Sequence, residues 1–357
     1  MAGVFRFSNA VSDITKFIQT YRSIYEHFYP LTEQGHFFGH KEAYEFLASN
    51  GLASSLGAIG QEAIRRSERD DTSRDPLYNQ HKMYSEIYRM LGWYEPGSMK
   101  TNFNLPEYGD YIAHSDPATV AKLFALNVLH IVSPNPLTNV KGGNILRPFP
   151  MILKMMGSLD GYLTRDEMIL TVLACPDDRE KDYVPKASER IQRIRKNGLK
   201  ALQSEIETLK ARVGINSKDA LPNYTRFPIA AMKWTGWAEG IYTKDLYQGA
   251  SVATLKMTDI GRRELQRISG AIDIRFEDMM KYSRDSQAAF SVWSNLKQLQ
   301  HVGFDISAYS DIIPLLKSTA APIFAEYGID DERGLLFFGY QEAPREILKR
   351  GNQLIGE

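Results

Sequence analysis

Cysteine is almost missing from this chain: 357 residues hold one, Cys175. A single thiol cannot close an intramolecular disulfide, and a cysteine-rich zinc site is excluded. Cys175 ends the apolar run Met168–Ala174, which reads as a buried, inert thiol rather than a nucleophile. Net charge is missing too, with 43 Lys+Arg against 43 Asp+Glu. That balance argues against a nonspecific nucleic-acid coat, which would be strongly basic, but it permits a local basic face. No apolar run approaches the roughly 20 residues that span a bilayer. Met1–Ala10 lacks the basic start and apolar core of a signal peptide. The expectation is a cytoplasmic protein with no membrane segment. The seven histidines are scattered, and there is no His-Glu-x-x-His, Gly-x-Ser-x-Gly or phosphate-loop motif. His36 and His40 stand four apart, but Gly35 and Gly39 oppose a helix that would align them on a metal.

What is present is ordinary for folded domains: 43% hydrophobic and 24% charged residues. The charge is uneven. From Lys181 to Lys233 there are 12 Lys+Arg against 5 Asp+Glu, a net of +7; from Met257 to Glu357 there are 12 against 15, a net of −3. The middle of the chain is therefore the place to seek phosphate contacts. Periodicity predicts a mostly helical protein, with helices over Ile14–Tyr29, Lys41–Leu52, Ser54–Arg69 and Asn79–Leu91. The second of these stops near Gly51, and the third is expected to be capped by its leading serines. Lys100–Leu105 alternates as a strand would, and a helix is expected from Pro106. Asp116–Val132 reads as a bridging helix and Ser133–Gly143 as a linker. Thr164-Arg165-Asp166-Glu167 is a capping box opening a helix through Cys175. Val184–Val213 is a long basic helical stretch with a break near Gly198. Phe227–Trp237 is an apolar helix, followed by strands Ala238–Thr243 and Ser251–Met257 and a helix capped by Thr258. Beyond residue 270 the chain reads as helical, ending in a strand candidate, Gly334–Tyr340.

Two stretches look like degenerate copies. Leu91-Gly92-Trp93 leads through a hairpin to Leu105–Gly109. Thr235-Gly236-Trp237 leads through a longer hairpin to Met257–Gly261. Helices followed by a two-stranded wing are the winged-helix order, in which the hairpin covers the open edge of a small three-helix core. The predicted fold class is α+β, mainly α: two winged-helix subdomains plus a helical C-terminal segment. The expected boundaries are 1–115 and 145–270 for the two recognition subdomains, 116–144 for a helical bridge and linker, and 271–357 for a helical C-terminal region.

One further pattern is more specific. Arg147-Pro148-Phe149-Pro150, then Gly161-Tyr162-Leu163-Thr164-Arg165-Asp166-Glu167, resembles the DNA-recognition region of the AlwI-like and BpuJI-like type IIS restriction endonucleases. The likeness continues through Arg226–Gly236 and the hairpin to Gly261, and extends more loosely over Tyr78–Gly109. It implies binding of a short asymmetric site on double-stranded DNA by two winged-helix subdomains. It also implies cleavage by a separate Mg²⁺-dependent nuclease domain of the PD-(D/E)xK type.

Such a nuclease needs two acids to hold Mg²⁺ and a lysine two residues beyond the second acid to activate water. After residue 270 no Asp-x-Lys or Glu-x-Lys occurs. Asp330-Asp331-Glu332 lacks the lysine, and Asp177-Asp178-Arg179-Glu180-Lys181 has the residue types at the wrong spacing. The expectation is a recognition subunit or portion with no cofactor of its own, Mg²⁺ and the cleavage site being supplied by a partner nuclease subunit or a missing domain. Two alternatives stand beside it: an intact nuclease with an irregular site in 270–357, and a winged-helix transcription regulator.

Base edges in a major groove are read by the paired donors and acceptors of Arg, Lys, Asn and Gln, while phosphates take Lys, Arg, Tyr and Ser. In the second copy the polar leader of an apolar helix supplies Lys218, Asn223, Tyr224 and Arg226. In the first copy a dense polar run supplies Arg65, Arg66, Arg69, Arg74, Asn79, Gln80 and Lys82, diluted by Glu68, Asp70, Asp71 and Asp75. Arg190, Arg193, Lys196 and Lys200 have the spacing of a phosphate-contacting stripe.

Overall fold

A computed structural model describes residues 3–8, 11–96, 102–106, 108–138, 143–330 and 333–337. Along the chain, α1 (Ile14–Thr32) leads to β1 (Phe38–Gly39), α2 (His40–Ser49), α3 (Gly60–Ser67) and α4 (Pro76–Met90). Then come β2 (Glu95–Pro96), β3 (Asn102–Asn104), α5 (Tyr108–His114) and α6 (Pro117–His130). A second series runs α7 (Pro148–Ser158), β4 (Tyr162–Thr164), α8 (Arg165–Met168), α9 (Tyr183–Asn197), α10 (Leu199–Val213), α11 (Ala220–Tyr224) and α12 (Arg226–Trp234). It ends with β5 (Ala238–Thr243), β6 (Val252–Met257) and α13 (Asp259–Ser269). After β7 (Ile272–Ile274) follow α14 (Phe276–Met279), α15 (Arg284–Val302), α16 (Ile313–Thr319), α17 (Ala321–Tyr327) and β8 (Leu335–Phe337). The protein is α+β and mainly helical. Among the described residues no helix is long and apolar enough to cross a membrane.

The described residues divide into two compact units, one from Asp13–Asn127, Ile274–Asp331 and Phe337–Glu357, the other from Met1–Ser12, Val128–Asp273 and Glu332–Leu336. They are called here the Trp93 unit and the Trp237 unit. The helices after β7 therefore pack with the N-terminal elements of the chain.

The two units share one element order. In each, a helix is followed by a short strand, a second helix begins on the next residue, and a later helix leads into a hairpin whose second strand pairs with that first short strand. The sheets run β1-β3-β2 and β4-β6-β5. All pairs are antiparallel, with Phe38 opposite Phe103 and Leu163 opposite Leu255. The strand-to-helix step is built alike, because a glutamate carboxylate accepts the backbone N–H just before the helix. Glu42 does so for Gly39 at 2.6 Å, and Glu167 for Thr164 at 2.8 Å. Before each hairpin a glycine in the left-handed region, Gly92 at φ 74° and Gly236 at φ 72°, ends the helix and turns a tryptophan inward. Trp93 and Trp237 are both buried.

Each unit closes with a helix on its first one, α5 on α1 and α13 on α7. Both closing helices carry a glycine at a close approach. A Cβ on Gly109 would stand 2.1 Å from the Tyr21 hydroxyl, and one on Gly261 would stand 2.2 Å from the Trp237 carbonyl oxygen. The Trp93 core is aromatic: Phe17 stacks on Tyr88 at 4.4 Å, and Tyr21 and Trp93 rings lie 4.9 Å apart. Its polar edges are satisfied, the Trp93 indole donating to Asn127 at 2.8 Å and the Tyr21 hydroxyl to the Trp93 carbonyl at 3.0 Å. In the Trp237 core the Phe7 ring lies 5.9 Å from Phe149 and 5.3 Å from Phe227, and α7 buries Met151, Met155 and Met156.

Two local details depart from the sequence expectations. The helix expected from Ser54 starts at Gly60, because Leu56, Gly57 and Gly60 take positive φ and Ser55 folds back on Ala58. The segment after Glu167 winds into a π-turn, Ile169–Leu173, in which every residue is buried. The basic stretch breaks where expected, Gly198 at φ 85° separating α9 from α10. The strand expected from Lys100 is seen over Asn102–Asn104, and Lys100 lies outside the described residues, as do Asp331 and Glu332.

Candidate functional site

In the Trp237 unit the polar leader and the apolar helix meet at the α11–α12 junction. Phe227 and Pro228 are buried and fix the start of α12, which leaves Arg226 exposed one residue earlier. Lys218 is exposed, while Asn223 and Tyr224 are half-buried on α11. The helices connect tightly: the Asn223 N–H donates to the Asp219 carbonyl at 2.9 Å and the Thr225 hydroxyl to the Pro222 carbonyl at 2.7 Å. The buried face of α12 carries Phe227, Pro228, Ala231 and Met232, so Arg226 and Lys233 lie on its outer face. Lys233 was not among the predicted contacts, although its spacing from Arg226, two helical turns on, was the available signal.

In the Trp93 unit the predicted cations are largely engaged within the chain. Arg65 and Arg66 both bind Glu62, at 2.8 and 2.7 Å, holding its carboxyl down to about 2 through those hydrogen bonds. Arg69 donates to the carbonyls of Arg66 and Glu68, and Arg74 pairs with Asp71 at 3.5 Å. Exposed pairs of this kind are screened by solvent and contribute little, so a phosphate can displace them. Asn79 donates to the Ser73 carbonyl at 2.8 Å and thereby ties the preceding turn to α4. Gln80 is half-buried and Lys82 exposed on the same helix.

The stripe on α9 separates by partner. Arg190 pairs with Glu205 on α10, whereas Arg193 and Lys196 are exposed. Lys200, past the Gly198 break, is exposed as well.

Two polar clusters were not foreseen. Glu167, fully buried, accepts from Arg195 at 2.7 and 3.0 Å and from the Tyr247 hydroxyl at 2.6 Å, besides the N–H of Thr164. Burial, and next the facing carboxylate, raise the Tyr247 phenol well above its usual range. The network joins α8, α9 and the turn between β5 and β6. Gln248 reinforces the joint by donating to the Lys196 carbonyl at 2.6 Å. The sequence showed only the capping role of Glu167.

The second cluster is His40 and His81, Nδ1 to Nδ1 at 2.9 Å, with His81 Nε2 3.4 Å from the Tyr94 hydroxyl. Burial, then Arg89 and Lys82, lower His40 to about 4; burial, then His40 and Arg89, put His81 well below the ordinary value. His36 instead faces Glu42 at 3.6 Å. Among the described residues no three His, Cys, Asp or Glu side chains converge as a metal site. Asp178 is committed to the Arg147 N–H, and Asp177 to Arg179. Cys175 is buried, its thiol pushed up to about 12 by burial and by Asp178.

No protein-family model matches the sequence, and no curated protein matches it. Among solved structures the chain is similar to restriction endonuclease FokI at 12% identity and a TM-score of 0.40, covering 99% of this chain and 68% of that one. It is also similar to FokI bound to DNA at 11% identity and a TM-score of 0.41, covering 96% of this chain and 65% of that one. The chain thus spans about two thirds of the length of the FokI chains.

Proposed function

We propose that this chain recognises double-stranded DNA, as the recognition subunit or portion of a type II, IIS-like restriction endonuclease. Its two units are read as winged-helix subdomains that together contact a short asymmetric site. The observation that carries the reading is the doubled topology: helix, strand, helix, a later helix, then a hairpin, with the first strand beside the last in each sheet. In such a unit the helix before the hairpin enters the major groove by its N-terminal end and the hairpin lies along the backbone. That helix is α4 in one unit and α12 in the other, and both carry polar leaders. Asn223, Tyr224 and Arg226, with Gln80 and Lys82, are assigned to the groove; Lys218, Arg193 and the displaceable Arg65, Arg66, Arg69 and Arg74 to phosphates. Asn79 and Arg190 reach DNA only by giving up Ser73 and Glu205. Cleavage and its Mg²⁺ are assigned to a separate nuclease domain or subunit, because no Asp-x-Lys or Glu-x-Lys follows residue 270.

Selection from a random duplex pool tests this directly. The expected product is one asymmetric sequence of about five to seven base pairs, bound at nanomolar to micromolar Kd and weakened steeply by salt. Enrichment of no sequence overturns the reading; a palindrome turns it toward a dimeric regulator. Efficient cutting of plasmid DNA by the pure chain with Mg²⁺ overturns the division of labour.

A further inference from the structure

The Trp237 unit contains a surface cavity of about 470 Å³ beside α12, bounded by the starts of α8 and α10 and by β5 and β6. Its floor is aliphatic, with Leu202, Ile229 and Leu255. Its rim carries Arg165, Asp166, Lys233 and Tyr242, with Arg165 Nε bound to the Asp166 carboxylate at 3.0 Å. Tyr242 lines the opening and is 80% exposed, an unusual position for a large ring on a strand. Lys233 crosses Gly240 so closely that a Cβ there would stand 3.3 Å from Nζ. No described carboxylate pairs with Lys233. The walls are held in place, because the Glu167 network ties the α8 wall to α9 and to the turn joining β5 and β6.

We infer that this cavity is a nucleotide site, taking a planar base against the aliphatic floor and the Tyr242 ring, with its phosphate on Lys233. Three features select that class. The volume is in the range of small-ligand sites, about 300–1,000 Å³. An apolar slot with an aromatic platform suits a π-face and tolerates any base. The uncompensated cation at the mouth calls for an anion attached to that ring. The occupant is either a free nucleotide or a base turned out of a bound duplex, and the second source rests on the DNA-recognition reading above. Turning a base out loses stacking and pairing, which an aliphatic slot with an aromatic rim can offset.

Two measurements separate the sources. Mononucleotides are titrated calorimetrically into the full chain and into Lys233→Gln and Ala253→Trp; Ala253 lines the cavity and is exposed, so the indole fills the slot without entering the core. In parallel, duplexes from the selection carry 2-aminopurine at successive positions, and overall binding is read from the anisotropy of a terminal dye. A free-nucleotide site gives saturable mononucleotide binding, weakened at least tenfold in both variants. A turned-out base gives a several-fold rise in 2-aminopurine emission at one position, lost in Ala253→Trp while the duplex still binds. Mononucleotide binding without duplex binding keeps the cavity and removes the DNA reading. Duplex binding with neither signal overturns the nucleotide site, as does mononucleotide binding equal in all three proteins. Absence of all binding overturns both.

Discussion

Tyr247 donates its hydroxyl to the Glu167 carboxylate at 2.6 Å, linking residues 80 apart in sequence. Glu167 is fully buried, and its opposite charge is Arg195, itself 12% exposed. A buried pair of this kind is weakly stabilising as a whole, but removing one member strands the other, at a cost of about 3–5 kcal/mol. Glu167→Gln should therefore destabilise the Trp237 unit by roughly that amount in urea titrations. Tyr247→Phe should cost about 1.5–3 kcal/mol, the usual size of a hydrogen bond to a charged group. A Glu167→Gln protein as stable as the parent would show that Arg195 finds other partners.

The histidine pair sets a pH dependence. Both rings are neutral when folded, since one Nδ1 must donate and the other accept across 2.9 Å. The folded His40 value, about 4, lies below the ordinary imidazole value of 6.5, so the unfolded chain binds the proton first as pH falls. Stability from this site is complete above pH 6.5 and is lost progressively as pH drops toward 4. The depression corresponds to about 3 kcal/mol at roughly 1.4 kcal/mol per pH unit. Denaturation midpoints between pH 7.5 and 4.5 should fall steeply in the parent and less in His40→Gln. Equal slopes in the two proteins would remove His40 as the cause.

Much of this was legible in the sequence, and the exceptions have physical reasons. β5 and the Thr164 and Thr258 caps follow from alternation and side-chain chemistry that act within a few residues. Gly92 and Gly236 could be read because a left-handed helix end favours glycine. The false helix start at Ser54 arose because positive φ at Leu56, Gly57 and Gly60 overrides a good cap, and Leu56 gives no warning of its conformation. The Glu167–Arg195–Tyr247 and His40–His81 clusters join distant segments, so no local pattern announces them. The packing of α15 with the N-terminal elements is equally nonlocal: Tyr111 meets Phe304 at 4.6 Å just past its end.

Partnering divides the cations of α9 into two kinds. Arg190 is held by Glu205 and Arg195 by Glu167, while Arg193 and Lys196 face solvent. Each phosphate neutralised by the protein contributes about 0.9 to the slope of log affinity against log salt. Arg193→Ala and Lys196→Ala should each lower that slope by about 1, with little change in sequence preference. Arg190→Ala should leave the slope nearly unchanged. Anisotropy titrations from 50 to 300 mM NaCl, roughly the span over which such slopes are resolved, distinguish the cases. An Arg190→Ala effect equal to that of Arg193→Ala would mean that the Glu205 pair opens on DNA.

Arg226 and Lys218 flank the same short helix but should behave differently. Arg226 opens α12, whose backbone is fixed by buried Phe227 and Pro228, so its guanidinium is aimed from a rigid base. Such an arginine reads guanine O6 and N7 together, discriminating by about 1–3 kcal/mol per base pair. Lys218 stands in the approach to α11 and carries a point charge suited to phosphate. Arg226→Ala should therefore relax selection at one position of the site and leave the others intact. Lys218→Ala should weaken every duplex alike, because a phosphate contact carries no base information. Repeating the selection with each variant gives the comparison. If Arg226→Ala weakened all sequences uniformly, α12 would be lying along the backbone and the assignment of this helix to the groove would fail.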